Sequence, residues 1–252
     1  MKTLPIFRSH YSKGSSILTA ELPDKAKKNA PQSIFSLAKE YKIDPIFVCD
    51  KTIIGFPKLH AVSQKLGVEL RFGIKMTVTS DISLKNEESL KNDHDIIIWI
   101  MNDQGYYDFL KIWNKASTDG FYYAPRIDQS LLKALFTDNL SIDIPFYHSF
   151  LHQNTLYFAE CTFDAKFFHA EFHIENNLLP IDIPIAQAVE RYAKKNDMVC
   201  LPTKTIKYAT RANFEEWQVF NAVHRRANLD KLNAEHQGSA EFCLESWAEN
   251  EN

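Results

Sequence analysis

Five consecutive apolar residues, Ile96-Ile97-Ile98-Trp99-Ile100, limit what this chain can fold into more than any other feature. A run so short and so uniformly apolar reads as a strand buried on both faces, and such strands belong to sheets covered by helices. The flanking sequence agrees. Strand candidates fall at 4–7, 45–49, 70–74, 96–101, 140–146 and 198–202, each bounded by polar residues, Gly or Pro. Helical periodicity alternates with them over 33–41, 56–66, 106–115, 129–136, 185–194 and 213–224; Ile34, Leu37, Ala38 and Tyr41 are one such stripe. Pro184 marks the start of the fifth helix, and Lys194-Lys195-Asn196-Asp197 its end. Residues 155–161 and 167–174 are further strand candidates, 82–94 reads as a polar surface excursion, and the acidic end, 248–252, is expected to fray. The alternation predicts βα units in a parallel sheet or barrel, within one α/β domain over 1–252 that carries a partly flexible C-terminal extension at 227–252.

Composition narrows the function classes. Lys+Arg of 29 against Asp+Glu of 32 gives net −3, so global charge does not advertise nucleic-acid binding and any DNA contact has to be local. Cys49, Cys161, Cys200 and Cys243 are scattered without a CxxC pair, which argues against a zinc ribbon or a disulfide framework and fits a reducing compartment. The apolar stretch at the N-terminus is too short for a signal-peptide core, and no window reaches the ~18 apolar residues of a membrane span. A soluble cytoplasmic protein is expected. Neither a glycine-rich phosphate loop nor a dinucleotide fingerprint is present.

The segment Asn102-Asp103-Gln104-Gly105-Tyr106-Tyr107-Asp108-Phe109-Leu110, then Asp119-Gly120-Phe121-Tyr122-Tyr123-Ala124-Pro125-Arg126-Ile127-Asp128, resembles the PHP (polymerase and histidinol phosphatase) domain of family C bacterial replicative DNA polymerases. Further likeness runs from Phe7-Arg8-Ser9-His10-Tyr11-Ser12 through Val48-Cys49-Asp50, Gly55 and Gly67–Gly73, then more weakly over Val199–Tyr208 and the following helix; 137–195 contribute little. The resemblance implies a distorted (β/α)7 TIM-like barrel, with any site at the C-terminal ends of its strands. It also implies the family's chemistry: up to three divalent metals held by His, Asp, Glu and one Cys, which activate water and neutralise a leaving oxyanion.

Measured against the family's motifs, the chain departs at several ligand positions. Arg8-Ser9-His10 stands for His-x-His and retains only His10. Asp50-Lys51-Thr52 with Gly55 keeps the Asp of Asp-His-Gly and loses its His. Gly73-Ile74-Lys75 has a cation where the family has Glu, and Lys204-Thr205-Ile206-Lys207-Tyr208 lacks both ligands of Asn-Asp-x-His-Tyr. A ligand His expected near the strand at 95–100 falls at His94 or Asp95, and the Cys expected after 140–144 has no counterpart among Asp143, Pro145 and Tyr147. Guanidinium and ammonium groups are donors and do not coordinate metals at neutral pH. Arg8, His10, Asp50, Lys51, Lys75, Asp95, Thr205 and Lys207 are therefore predicted to line a vestigial, metal-free pocket in which the cations neutralise Asp50 and Asp95.

Three functions follow from these residues. The first is a freestanding, catalytically degenerate PHP-like subunit of a replication machine, from a phage or another compact genome, that binds a DNA polymerase catalytic subunit or its proofreading exonuclease and meets DNA only through that complex. The second is a metal-dependent phosphoesterase or 3′–5′ exonuclease using Mn, Zn or Mg on His10, Asp50, Asp95 and one of His94 or His148. The third is a phosphate or nucleotide module using the cations. Other constellations have blander readings. His169-Ala170-Glu171-Phe172-His173 is read as polar alternation on a strand surface rather than a zinc site. Tyr106-Tyr107 and Phe121-Tyr122-Tyr123 are read as core packing and anchoring of the Pro125 turn rather than base-stacking platforms. His224-Arg225-Arg226 with Lys231 reads as a cationic helix end, and Ser12, Ser15 and Ser16 lack the partners of a nucleophile.

Overall fold

The computed structural model describes residues 2–12, 14–22, 31–226 and 238–251. Eight strands are present: β1 (Leu4–Phe7), β2 (Ile46–Asp50), β3 (Leu70–Thr79), β4 (His94–Ile100), β5 (Arg126–Asp128), β6 (Leu140–Ile144), β7 (Glu171–Ile174) and β8 (Cys200–Ile206). Between and after them lie α1 (Ile34–Glu40), α2 (Phe56–Leu66), α3 (Glu87–Leu90), α4 (Asp103–Thr118), α5 (Gln129–Leu135), α6 (Phe150–Leu156), α7 (Asp182–Asn196), α8 (Phe214–Arg225) and α9 (Leu244–Glu251). The strand order is β2-β1-β8-β7-β6-β4-β3-β5, and β2 also pairs with β3, so seven strands close into a barrel with β5 as one extra strand. The fold is the mixed α/β, TIM-like barrel that the resemblance implied.

The chain divides into two compact units. The first comprises Met1–Phe72, Asn176–Leu179 and Pro202–Asn252. In it β1 pairs in parallel with β2 and with β8, with Phe7 opposite Val48 and Ile206. Helix α2 shows why its segment is a helix: Pro57 lies in the first turn, where its missing N–H costs nothing, and Gly67 ends it in the left-handed region at φ 65°. Just before the acidic end expected to fray, the chain is built in. Phe242, Cys243 and Leu244 are fully buried, Leu244 N–H donates to Tyr208 O at 3.1 Å, and Trp247 of α9 donates to Thr3 O at 2.8 Å. Residues 227–237, within the extension expected to be flexible, lie outside the described residues.

The second unit comprises Gly73–Glu175 and Pro180–Leu201. All seven residues of β4 are buried, as the apolar run requires. It pairs antiparallel with β6, Ile98 opposite Ile142, whereas β3–β5 and β6–β7 are parallel, so the sheet is not the uniformly parallel one that alternation predicts. Helix α4 is capped by Asn102, whose Oδ1 accepts from Gly105 N–H at 2.9 Å, and buries Gly105, Asp108, Phe109, Ile112 and Ala116 along one stripe. Strand β3 runs five residues beyond its expected end because Lys75 and Thr77, which read as the polar boundary of the strand, have polar partners inside. Residues 155–161 are not a strand: α6 occupies 150–156 and irregular chain follows. Helix α7 begins three residues before expectation, with Pro184 inside its first turn.

Candidate functional site

Parallel registration of β1 with β2 carries their ends forward together, and this brings Ser9 beside Asp50. The Ser9 backbone N–H donates to Asp50 Oδ1 at 2.9 Å and the Ser9 hydroxyl to Oδ2 at 2.5 Å, while Asp50 is fully buried. Burial pushes the Asp50 carboxyl above its ordinary range, opposed by the two Ser9 bonds and by the Arg8 guanidinium. Arg8 itself donates to the Cys49 carbonyl at 2.5 Å. Lys51 is exposed, and its backbone N–H donates to Ser12 Oγ at 2.7 Å. His10 stands at the turn after β1 with Nδ1 3.2 Å from Leu18 O. Thr205 lies opposite Ile6 in the β1–β8 pair. Lys207, just past β8, is buried with its ammonium 3.7 Å from the centre of the Phe242 ring and 4.6 Å from that of Trp217. The first unit thus brings Arg8 and Asp50 together through Ser9, which sequence reasoning passed over; a hydroxyl between Arg8 and His10 was the available signal.

In the second unit Lys75 and Asp95 form a buried ion pair at 3.5 Å. Lys75 also donates to Tyr147 O at 3.0 Å, and Asp95 accepts from Thr77 Oγ1 at 3.0 Å. The Tyr147 hydroxyl donates to Asp182 at 2.7 Å. His152, on α6, is 3% exposed with no partner for its Nδ1 among the described residues; burial and the Lys75 charge pull its pKa down to about 4. Its ring centre is 5.3 Å from that of His148. His94 is on the same strand as Asp95 but packs edge-on to Phe150 and Phe163, with Nδ1 3.3 Å from Asn92 O, and burial lowers its pKa. His152 and Asp182 escaped the sequence reading because polar residues in apolar surroundings give no periodicity of their own.

Two expectations are corrected here. His173 is not on a polar surface: it is 2% exposed, and its Nε2 donates to Asp143 Oδ2 at 2.9 Å, the same oxygen that accepts from Trp99 Nε1 at 2.6 Å. His169 precedes β7 in a left-handed turn, so the three polar residues do not share a strand face. Nor do the aromatics of the two motifs pack as core, since Tyr107 (61%), Phe121 (49%) and Tyr123 (78%) are exposed, while Tyr122 stacks under Arg126 at 5.1 Å. His224 and Arg225 do form the cationic last turn of α8; Lys231 lies outside the described residues. Among the described residues no three His, Cys, Asp or Glu side chains gather as a metal site, and no helix is long and apolar enough to cross a membrane.

Comparison with known proteins points the same way as the strand-end motifs. A family model described as "PHP domain" matches residues 22–150. The chain is similar to the DNA polymerase III subunit alpha of Borreliella burgdorferi, 31% identical over 103 residues that cover 40% of this chain and 9% of that protein. Likeness to the DNA polymerase III subunit alpha of Thermus aquaticus is 26% over 136 residues, 50% of this chain and 11% of that protein. The Chlamydia pneumoniae subunit is 41% identical over 49 residues, 19% of this chain and 4% of that protein. The matched stretch is therefore a small part of each curated relative.

Proposed function

We propose, since this chain belongs to the PHP domain family, that it acts as a catalytically degenerate PHP module which binds a DNA polymerase catalytic subunit or its proofreading exonuclease. The observation that carries this reading is the state of Asp50. It is the acid retained from the family's second motif, yet it is fully buried and both its oxygens are held by Ser9. A ligand for a divalent ion has to offer its lone pairs to the metal, and this carboxylate spends them on the neighbouring turn. Arg8, Lys51, Lys75 and Lys207 stand at four other motif positions, and Lys75 is committed to Asp95 and the Tyr147 carbonyl. Such a donor set does not fit Mn2+, Zn2+ or Mg2+, so no hydrolytic step is derived through a metal.

Two measurements test the proposal. Calorimetric titration of the purified chain with the polymerase catalytic subunit and with the proofreading exonuclease from the same source should show saturable binding to one of them. Titration with Mn2+ and Zn2+, paired with an exonuclease assay, should show neither stoichiometric metal nor activity. Stoichiometric metal together with nuclease activity abolished by His10→Ala would replace the proposal with the phosphoesterase reading. Failure to bind either replication protein would remove the partner from it.

A further inference from the structure

A cleft of about 650 Å3 opens in the first unit, lined among others by His10, Thr19, Gln32, Glu216 and Phe220. Its size lies within the roughly 300–1,000 Å3 typical of ligand pockets. Gln32 and Thr19 can donate as well as accept, but two lining groups stand as acceptors. His10 Nδ1 faces the Leu18 carbonyl, which only accepts, so in the neutral ring Nδ1 carries the hydrogen and Nε2 is left as an acceptor. Glu216 is an exposed carboxylate held in position by Asn213, whose Nδ2 donates to its Oε2 at 2.9 Å while Asn213 Oδ1 is occupied by the Thr210 N–H and hydroxyl. Phe220 supplies an aromatic surface, steadied by the His224 ring at 4.3 Å. No lysine or arginine is among the described lining residues.

An acid in the first turn of α8 is favourable to the helix dipole whatever it touches, and Glu215 beside it already serves that purpose. Glu216 differs in being oriented by a neighbouring amide over a cleft with an aromatic wall. A ligand that engages Glu216, His10 Nε2 and Phe220 together donates hydrogen bonds, carries positive charge and presents a flat face. Guanidinium meets all three requirements: it is planar, stacks on aromatic rings, has five donors and pairs with carboxylates through two parallel bonds. Ammonium has the charge without the plane. Phosphate-bearing ligands meet the Glu216 anion, with no lysine or arginine among the described lining residues to offset it.

We propose that this cleft receives an arginine side chain of a partner polypeptide, its guanidinium on Glu216 and against Phe220. The proposal rests on the reading above only for the identity of that partner; the cleft's preference is a property of this chain alone. It is tested on the isolated chain by NMR titration with N-acetyl-arginine methylamide, with the lysine analogue and adenosine monophosphate as comparators. Saturable shifts at His10 and Phe220 are expected for the arginine probe, with dissociation constants in the millimolar range. Glu216→Gln, at an exposed position, should weaken binding about tenfold, or about 1.4 kcal/mol. Phe220→Leu, which keeps an apolar side chain, should weaken it while leaving the folded spectrum intact. Absence of saturable shifts, equal binding by Glu216→Gln, or preference for the lysine probe or the nucleotide overturns the proposal. None of these outcomes depends on whether a replication protein binds.

Discussion

At Asp50 the hydroxyls of the neighbouring turn, Ser9 foremost, offset the cost of a buried acid. The Ser9 backbone N–H satisfies one carboxylate oxygen and the Ser9 side chain the other, so Ser9→Ala leaves an oxygen of a fully buried group without that donor. The expected loss is about 1–3 kcal/mol in urea unfolding. Because burial already raises the Asp50 pKa, the folded chain binds its proton more tightly than the unfolded chain does. This acid's contribution to stability therefore falls as pH rises from the unfolded carboxylate range through the folded pKa, and Ser9→Ala should steepen that fall. His152 works in the opposite direction. Its folded pKa of about 4 lies below the model-peptide 6.5, so between those values the unfolded chain takes up the proton and stability drops as pH falls from 6.5 towards 4. His152→Leu should flatten that part of a pH series of unfolding curves, though not abolish it, because His94 is depressed by burial too. At this scale the sequence was a partial guide. Arg8, Asp50, Lys75 and Asp95 were singled out by motif position, whereas Ser9, His152 and Asp182 act through contacts between distant segments that no local pattern records.

Elements were legible where apolar spacing is regular and obscure where polar residues face inward. β1 and α2 fall at their expected limits and β4 departs by two residues at its start. β3 and β8 were cut short at Lys75 and at Thr203-Lys204, polar residues that are buried in the structure; Lys204 donates to Asn176 O at 2.9 Å. The three-residue β5 was missed because Arg126, 1% exposed, is an unlikely strand residue until its bonds to Ser89 and Leu84 are seen. Helix α4 gives a test in which two effects oppose each other. Alanine at Gly105 would raise helix propensity by about 1 kcal/mol, but its methyl would collide with the Asn139 carbonyl. Gly105→Ala should therefore lower the melting temperature despite the gain in propensity. Helix α9 offers a second ranking. Trp247→Ala removes a side chain only 4% exposed together with its bond to Thr3, and should cost about 3–5 kcal/mol. Arg211 pairs with Glu241 and Glu249 from a side chain 37% exposed, so Arg211→Ala should cost only about 1 kcal/mol or less, and added salt should shrink the difference further. Equal losses from the two variants in chemical denaturation would show that the ion pairs, and not the indole, hold the helix.

For the molecule as a whole, alternation of strand and helix was enough to anticipate an α/β sheet or barrel, and the motifs that carry the family resemblance pointed to the barrel. The antiparallel β4–β6 pair could not be read ahead, because an apolar run has no direction written in it. The packing of residues 242–247 was hidden for a different reason: the neighbouring acids suggested solvent, and only the structure shows Phe242, Leu244 and Trp247 turned inward between them. That end also lies against the beginning, where Thr3 N–H donates to the Glu251 carboxylate at 2.6 Å. A longer polypeptide could accept this module as a single insert, entering and leaving at one point and leaving the host's own backbone almost undisturbed. By the same geometry, joining the two ends with about four Gly/Ser residues and opening the chain between Lys85 and Asn86, in an exposed stretch, should yield a circular permutant with the parent's circular dichroism and cooperative melting.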